Sequence, residues 1–354
     1  LIPGGAGGVN FMMEQPNRGK KAIGIDLGHP DGHEALMRLV ETADVFLTNA
    51  LPHVREKLGV DVEDLRARNP SIIVARGSGQ GAHGPESDKG GYDGASFWAR
   101  GGVAGLFPGD AEGWPQGQPA PAFGDVMGGL AVAGAIAAAL AKRERTGEPS
   151  VVDVSLLATA MWQASPLVVA AKLFGLGSFP PRDRTKAANP GVNAYRTSDG
   201  RYITLILLQP DKFWADLAER LERPELATDP RFADAVSRAE HCTECIAILD
   251  EAFGSQPLAH WREALDEFTG VWAPFQSLIE LYDDPQVVAN GYLPTMTAGN
   301  GEEVQLVASP AMFDEEPVTV ERGPEHGEHT EAVFLDLGLA WDEIAALKES
   351  GAIL

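Results

Sequence analysis

Between Phe123 and Gly129 the chain sets one carboxylate, Asp125, among three glycines, and then runs straight into the small-residue stretch Leu130–Leu140. A carboxylate where a helix begins accepts from the orphan N–H groups of the first turn and feels the positive end of the dipole, which keeps it ionised. Gly128 and Gly129 leave backbone N–H groups uncovered and let another molecule approach the main chain. A charged carboxylate beside bare donors has the makings of a nucleophile, Asp125, with an oxyanion site at the amides of Gly128 and Gly129. The same residues also suit a purely structural purpose, with Asp125 as a helix cap and the glycines as packing sites. The motif alone does not separate the two.

Other candidates lie upstream. Lys89-Gly90-Gly91-Tyr92-Asp93 puts an aromatic hydroxyl next to a carboxylate. Asp93 suits either orienting a catalytic group or capping the segment that follows. The loop Gly77–Pro85 is rich enough in glycine to cradle a phosphate or a thioester oxygen, yet no Gly-Lys-Ser/Thr follows, so it is not a P-loop. Cys242 and Cys245 form a single Cys-x-x-Cys in a helical stretch beside His241, too few ligands for a zinc site, and are read as reduced helix cysteines.

These residues need a frame, and the hydrophobic pattern supplies one. Ala22–Leu27 reads as a buried strand. A helix opens at Pro30-Asp31, with Ala35, Leu36, Leu39 and Val40 at helical spacing. A strand at Asp44–Thr48, a loop with Asn49 and Pro52, a helix over Val62–Arg68 and a strand at Ser71–Ala75 follow. Strand, helix and strand with short connections predict a parallel sheet of βαβ units, which binds ligands beyond the carboxyl ends of its strands. The loops Asn49–His53 and Gly77–Pro85 leave from those ends. After the long helix come a strand at Ser150–Ser155 and an apolar helix over Leu156–Phe174. Residues 175–193 read as a crossover into a second domain. That domain holds an Asp-Gly hairpin over Tyr195–Leu208 and several helices, and a strand at Val304–Val307 leads back to a final helix at Trp341–Lys348.

Composition narrows the function. The chain of 354 residues has room for two domains. A net charge of −23 excludes a broad phosphate-binding surface and disfavours both nucleic acid and anionic membranes. No apolar run is read as long enough to span a bilayer, and no leader pattern opens the chain, so a cytoplasmic location is expected. An anionic ligand then needs a local basic cluster set against the global field.

Taken in order, the motifs resemble the family III CoA-transferases, the group of formyl-CoA transferase, carnitine CoA-transferase and alpha-methylacyl-CoA racemase. The resemblance covers nearly the whole chain. It rests on Asn17–Lys21 with Ile25–Leu27, Asp44–Asn49, Val54–Gly59, Asn69-Pro70, Gly91–Asp93 and Gly124-Asp125. Arg143–Gly147 with Val152-Asp153, Asp284-Pro285 and Gly327–Thr330 complete it. It implies an α/β fold: a Rossmann-like parallel-sheet large domain built from both chain ends, a smaller α+β domain, and an interlocked homodimer. The corresponding boundaries are residues 1–182, 190–302 and, for the return to the large domain, 303–354.

The resemblance places the family's catalytic aspartate at Asp125, which in transferases attacks an acyl-CoA thioester. Tyr92 and Asp93 would shape the acyl site. For coenzyme A it implies contacts at Asn49, Ala50 and Lys57, with Arg18, Gly79 and Lys89 as further candidates. No metal is implied. Ala50 stands where an aromatic residue usually stacks, and Lys89 lies one residue from the usual phosphate-binding lysine. The substrates implied are an acyl-CoA and a carboxylic acid. Alternatives are an acyl-CoA racemase or epimerase, or a CoA-binding protein without turnover. Racemases carry a histidine where this chain has Tyr92, and a supporting glutamate where it has Gln209. Family members also carry roughly fifty residues before the Asn-Arg-Gly-Lys motif, so a further N-terminal segment is expected ahead of Leu1.

Overall fold

The computed structural model describes residues 8–107, 109–110, 112–177 and 183–354, so residues 178–182 of the expected crossover lie outside the described residues. The chain divides into two compact units. One comprises residues 1–181, 294–307 and 319–354, and the other residues 182–293 and 308–318.

In the first unit the elements run α1 (Phe11–Asn17), α2 (Pro30–Thr42), β1 (Val45–Thr48), α3 (Pro52–Leu58), α4 (Val62–Arg68), β2 (Ile73–Ser78), α5 (Phe123–Thr146), β3 (Val151–Ser155), α6 (Leu156–Gln163) and α7 (Ser165–Phe174). The three strands form a parallel sheet in the order β1-β2-β3, with Val45 opposite Ile73 and Val74 opposite Val151. Ile72, Ile73, Val74 and Ala75 are fully buried, as the unbroken apolar run of a strand covered on both faces requires. Met37 and Val40 of α2 and Leu65 of α4 pack over it in one cluster. Local capping sets several helix starts: the His29 side chain accepts from Asp31 N–H, and Asp61 with Asp64 forms a reciprocal box on α4.

Four expectations need correction. Residues 22–27 form no strand; only Ile25 makes a bridge, to Ile353. The loop after Asn49 closes at once into α3, because Pro52 takes the first helical position, where its missing N–H costs nothing. The apolar helix after β3 is two helices bent by 73° at Ala164, where Pro166 forbids the continuous hydrogen-bond ladder. Finally, α5 is by length and composition apolar enough to cross a membrane, with mean hydropathy 1.7. In this unit it lies beside β2, β3 and α6.

The second unit holds β4 (Val192–Arg196), β5 (Tyr202–Ile206), α8 (Pro210–Arg220), α9 (Ala235–Glu240), α10 (Cys242–Gly254), α11 (Leu258–Ala264), β6 (Trp272–Pro274) and α12 (Pro285–Ala289). The hairpin pairs β4 with β5 antiparallel, turning at Asp199-Gly200, where Gly200 takes φ +79°. Tyr195, Leu205, Trp214, Leu249, Phe253 and Trp261 sit in its core. Both cysteines are unpaired, and burial pushes the Cys245 thiol up to about 12, which suits packing rather than reactivity. The chain returns to the first unit through β7 (Thr295–Thr297) and β8 (Glu303–Gln305), then α13 (Thr330–Asp336) and α14 (Trp341–Glu349).

Candidate active site

Asp125 is the third residue of α5 and does not cap it. The cap position belongs to Ala122, held at φ 57° with no side chain able to accept from the first turn. The missing acceptor comes from 31 residues upstream: Gly124 N–H donates to Asp93 Oδ2 at 3.2 Å. Asp93 is 8% exposed and also accepts from Gly94 N–H at 2.7 Å and from Gln118 Nε2 at 3.4 Å. Gly124 is glycine because a Cβ there would stand 2.6 Å from Phe97 Cγ. Phe97 and Trp98, on the π-helical turn Gly94–Ala99 that Asp93 caps, meet the Phe123 ring edge-on at 6.2 Å each.

The expectation that Asp125 caps its own helix is not met. Its carboxyl is raised above the usual carboxylate range, first by displacement of water and second by the like charge of Asp93. The residue is nonetheless open to approach on this chain. The result is an accessible carboxylate whose charged form is under-stabilised, and such a group is more nucleophilic than a fully hydrated one.

The amides of Gly128 and Gly129 lie in the second turn, where the helical ladder commits them to carbonyls four residues back. They are therefore not oxyanion donors, and Gly128 instead lies 3.2 Å, by a built Cβ, from Leu156 Cδ2. Orphan donors exist only in the first turn. Gly79 is buried against Gly91 and Ser96, where a Cβ would stand 2.8 Å from each, so it makes a close loop–loop approach that only glycine fits.

The parallel register brings the loops after β1 and β2 to the same edge of the sheet. Asn49 is exposed there, and Ala50 is held by Arg55, whose Nη1 donates to Ala50 O at 2.6 Å. Lys57 is exposed in the last turn of α3. The loops are tied together by His53, whose Nδ1 lies 2.7 Å from Asp88 Oδ1 while its N–H donates to the same oxygen. Lys89 is paired with Glu86 at 3.2 Å, a carboxylate that Arg100 also holds and that both cations keep below its usual range. Tyr92 is 86% exposed, and its carbonyl accepts from Ala95 and Ser96 N–H. Arg18, at the end of α1, donates to the carbonyl of Val307. An open cavity of about 550 Å³ lies beyond β2 and β3, walled by Ser78, His83, Ala131, Ser155 and Trp162 among others. Neither this cavity nor a smaller groove of about 220 Å³ between α2 and α14 is lined by any of the candidate site residues. Sequence reading missed Gln118, Arg55 and the His53–Asp88 pair, since their partners are set by the fold and no spacing signals them.

The chain matches the profile of CoA-transferase family III over residues 3–330. It is 31% identical over 345 residues to the (R)-2-hydroxy-4-methylpentanoate CoA-transferase of Clostridioides difficile, covering 97% of this chain and 85% of that protein. It is 33% identical over 346 residues to a probable fatty acyl-CoA transferase of Mycobacterium tuberculosis, covering 95% and 86% respectively. A crystal structure of that mycobacterial protein superposes with a TM-score of 0.76 at 30% identity, over 90% of this chain and 84% of the other. With a mixed α/β architecture and an accessible aspartate opening its long helix, the chain belongs to CoA-transferase family III.

Proposed function

We propose that this protein moves coenzyme A from an acyl-CoA to an acceptor carboxylic acid through covalent intermediates on Asp125. The observation that carries this reading is the accessible Asp125 carboxylate, poorly stabilised as an anion, at a helix start whose first turn is organised by Asp93. An Asp125 oxygen attacks the thioester carbonyl carbon, the C–S bond breaks, and CoA leaves as thiolate from an acyl-aspartyl anhydride. The thiolate then attacks the aspartyl carbonyl, releasing the donor acid as carboxylate and leaving an aspartyl-CoA thioester. The acceptor carboxylate repeats the exchange in reverse order, and Asp125 is regenerated. First-turn amides of α5 face the negative charge that develops on the carbonyl oxygens.

Asn49, Ala50 and Lys57 after β1, with Lys89 after β2, are the proposed CoA contacts, and Arg18 is a further one. Tyr92 and Asp93 border the acyl site, Asp93 through its hold on Gly124. The unit acts as a homodimer, a reading supported by the apolar side chains that α5, α6 and α7 leave uncovered.

The test incubates the protein with a panel of acyl-CoAs, traps with hydroxylamine or borohydride, and maps adducts by mass spectrometry. A mass change on the Asp125 peptide, absent in Asp125→Ala, is expected. No adduct, with deuterium from D₂O entering the acyl-CoA alpha position, would overturn transfer in favour of racemisation.

A further inference from the structure

Gln118 lies in an exposed stretch without helix or strand, yet its amide is inserted beside Asp93. The stretch is pinned two residues earlier, where Trp98 Nε1 donates to the Gln116 carbonyl at 2.7 Å. Gly94 lies alongside the amide: a Cβ there would come 3.7 Å from Gln118 Oε1. That oxygen is buried and has no hydrogen-bond partner among the described residues. A buried orphan acceptor is unfavourable, and turning the amide over would relieve nothing, because it would set Oε1 against the Asp93 carboxylate. The orientation that leaves Oε1 unpaired is the one that gives Asp93 a donor.

Asp93 itself is a buried carboxylate whose three donors among the described residues, Gly94 N–H, Gly124 N–H and Gln118 Nε2, are all uncharged. No cation pairs with it among the described residues. One of its oxygens faces the residue preceding Asp125 in the chain. We infer that Gln118 is a positioning residue for the reaction at Asp125: its amide fixes the Asp93 carboxylate against the start of α5 and so sets the charge that the nucleophile faces.

This inference rests on the transfer reading for its catalytic meaning, but the coupling is measurable without turnover. Asp93 is the one charged group that acts on the Asp125 carboxyl among the described residues, and it adds to the effect of lost water. Without the Gln118 donor the Asp93 carboxylate keeps only the Gly94 and Gly124 N–H groups and is less firmly placed, so its field at Asp125 weakens and Asp125 keeps its proton less well. Gln118→Glu loses the same donor but sets a second carboxylate beside Asp93, so the negative charge facing Asp125 grows and acts in the opposite sense.

The experiment labels the protein with a water-soluble carbodiimide and an amine across a pH series, and reads the Asp125 peptide by mass spectrometry. The midpoint of labelling is expected to fall by about half a pH unit in Gln118→Leu and to rise by a similar amount in the near-isosteric Gln118→Glu. In turnover, Gln118→Leu is expected to lower kcat about tenfold with the KM for acyl-CoA within about twofold. A purely structural contribution would move both variants the same way. Midpoints that stay at the wild-type value, or shift in the same direction in both variants, overturn the assignment. Absence of an acyl adduct on the wild-type protein removes the transfer reading instead, and leaves the two midpoints to decide the role of Gln118.

Discussion

Asp125 carries its charge where lost hydration and the neighbouring Asp93 both oppose it. Its carboxyl is raised by lost hydration and by Asp93, so the native state binds this proton more tightly than the unfolded chain does. The sign follows: the stability associated with a protonated Asp125 is present below the ordinary carboxylate range and is lost as pH rises through the raised value. Replacing the charge with an isosteric amide removes the repulsion. Asp125→Asn is expected to raise the melting temperature at neutral pH by roughly 1–3 °C, a modest figure because the residue is partly hydrated. Transfer activity should drop by about a thousandfold or more, since an amide is not a nucleophile. A thermal melt at pH 7 and pH 4 checks the sign, because the gain should shrink at the lower pH. A melting temperature lowered at pH 7 would show that the carboxylate is structurally required.

At the scale of the element, α5 begins where one distant segment, residues 93–99, permits it. Asp93 supplies the acceptor that Ala122 lacks, and Gly124 supplies the space in which the Phe97 ring lies. The two conditions meet at adjacent groups, so the direction in which α5 leaves, and with it the placement of Asp125, depends on one glycine. Gly124→Ala is expected to destabilise by about 1–3 kcal/mol through overpacking against Phe97, despite the better helix propensity of alanine. It should reduce kcat/KM more than stability accounts for, because the nucleophile moves with the first turn. Denaturant unfolding and steady-state kinetics on the same variant separate the two effects. An unchanged unfolding midpoint would mean that Phe97 gives way freely.

For the whole molecule, the net charge of −23 and the distribution of apolar side chains pull in different directions. The charge repels other copies, but at an ionic strength of about 0.15 M that repulsion is largely screened beyond about 8 Å. Against it, Val126, Leu130, Trp162, Leu173 and Phe174 of α5, α6 and α7 are all more than half exposed on the single chain. Exposed apolar area of this kind fits the proposed homodimer. Sedimentation should return the mass of a dimer. A paired substitution, Leu130→Glu with Trp162→Glu, should shift it toward monomer and lower activity in parallel. A wild-type protein that sediments as a monomer at micromolar concentration would remove the homodimer from the proposal.

What could be read without the fold was what short-range physics decides. The Asp-Gly turn of the β4–β5 hairpin, the Pro30-Asp31 start of α2, the limits of α4 and the parallel βαβ order all follow from turn chemistry, capping and hydrophobic period, which act over a few residues. Asp125 and Asp93 were also legible as chemistry, because carboxylates beside glycines are unusual enough to single out. Their relation was not. That Asp93 caps α5 in place of Asp125, that Gly79 and Gly91 are apart in sequence and adjacent in space, and that Gln118 completes the shell are tertiary decisions. The same holds for the oxyanion donors: the glycine pair at 128–129 looks open in the sequence, and only the position of the helix start shows that its amides are already taken. A sequence specifies which groups are present, while desolvation and like-charge contact, the two causes that raise Asp125, arise only when the chain folds back and brings residue 93 against residue 124.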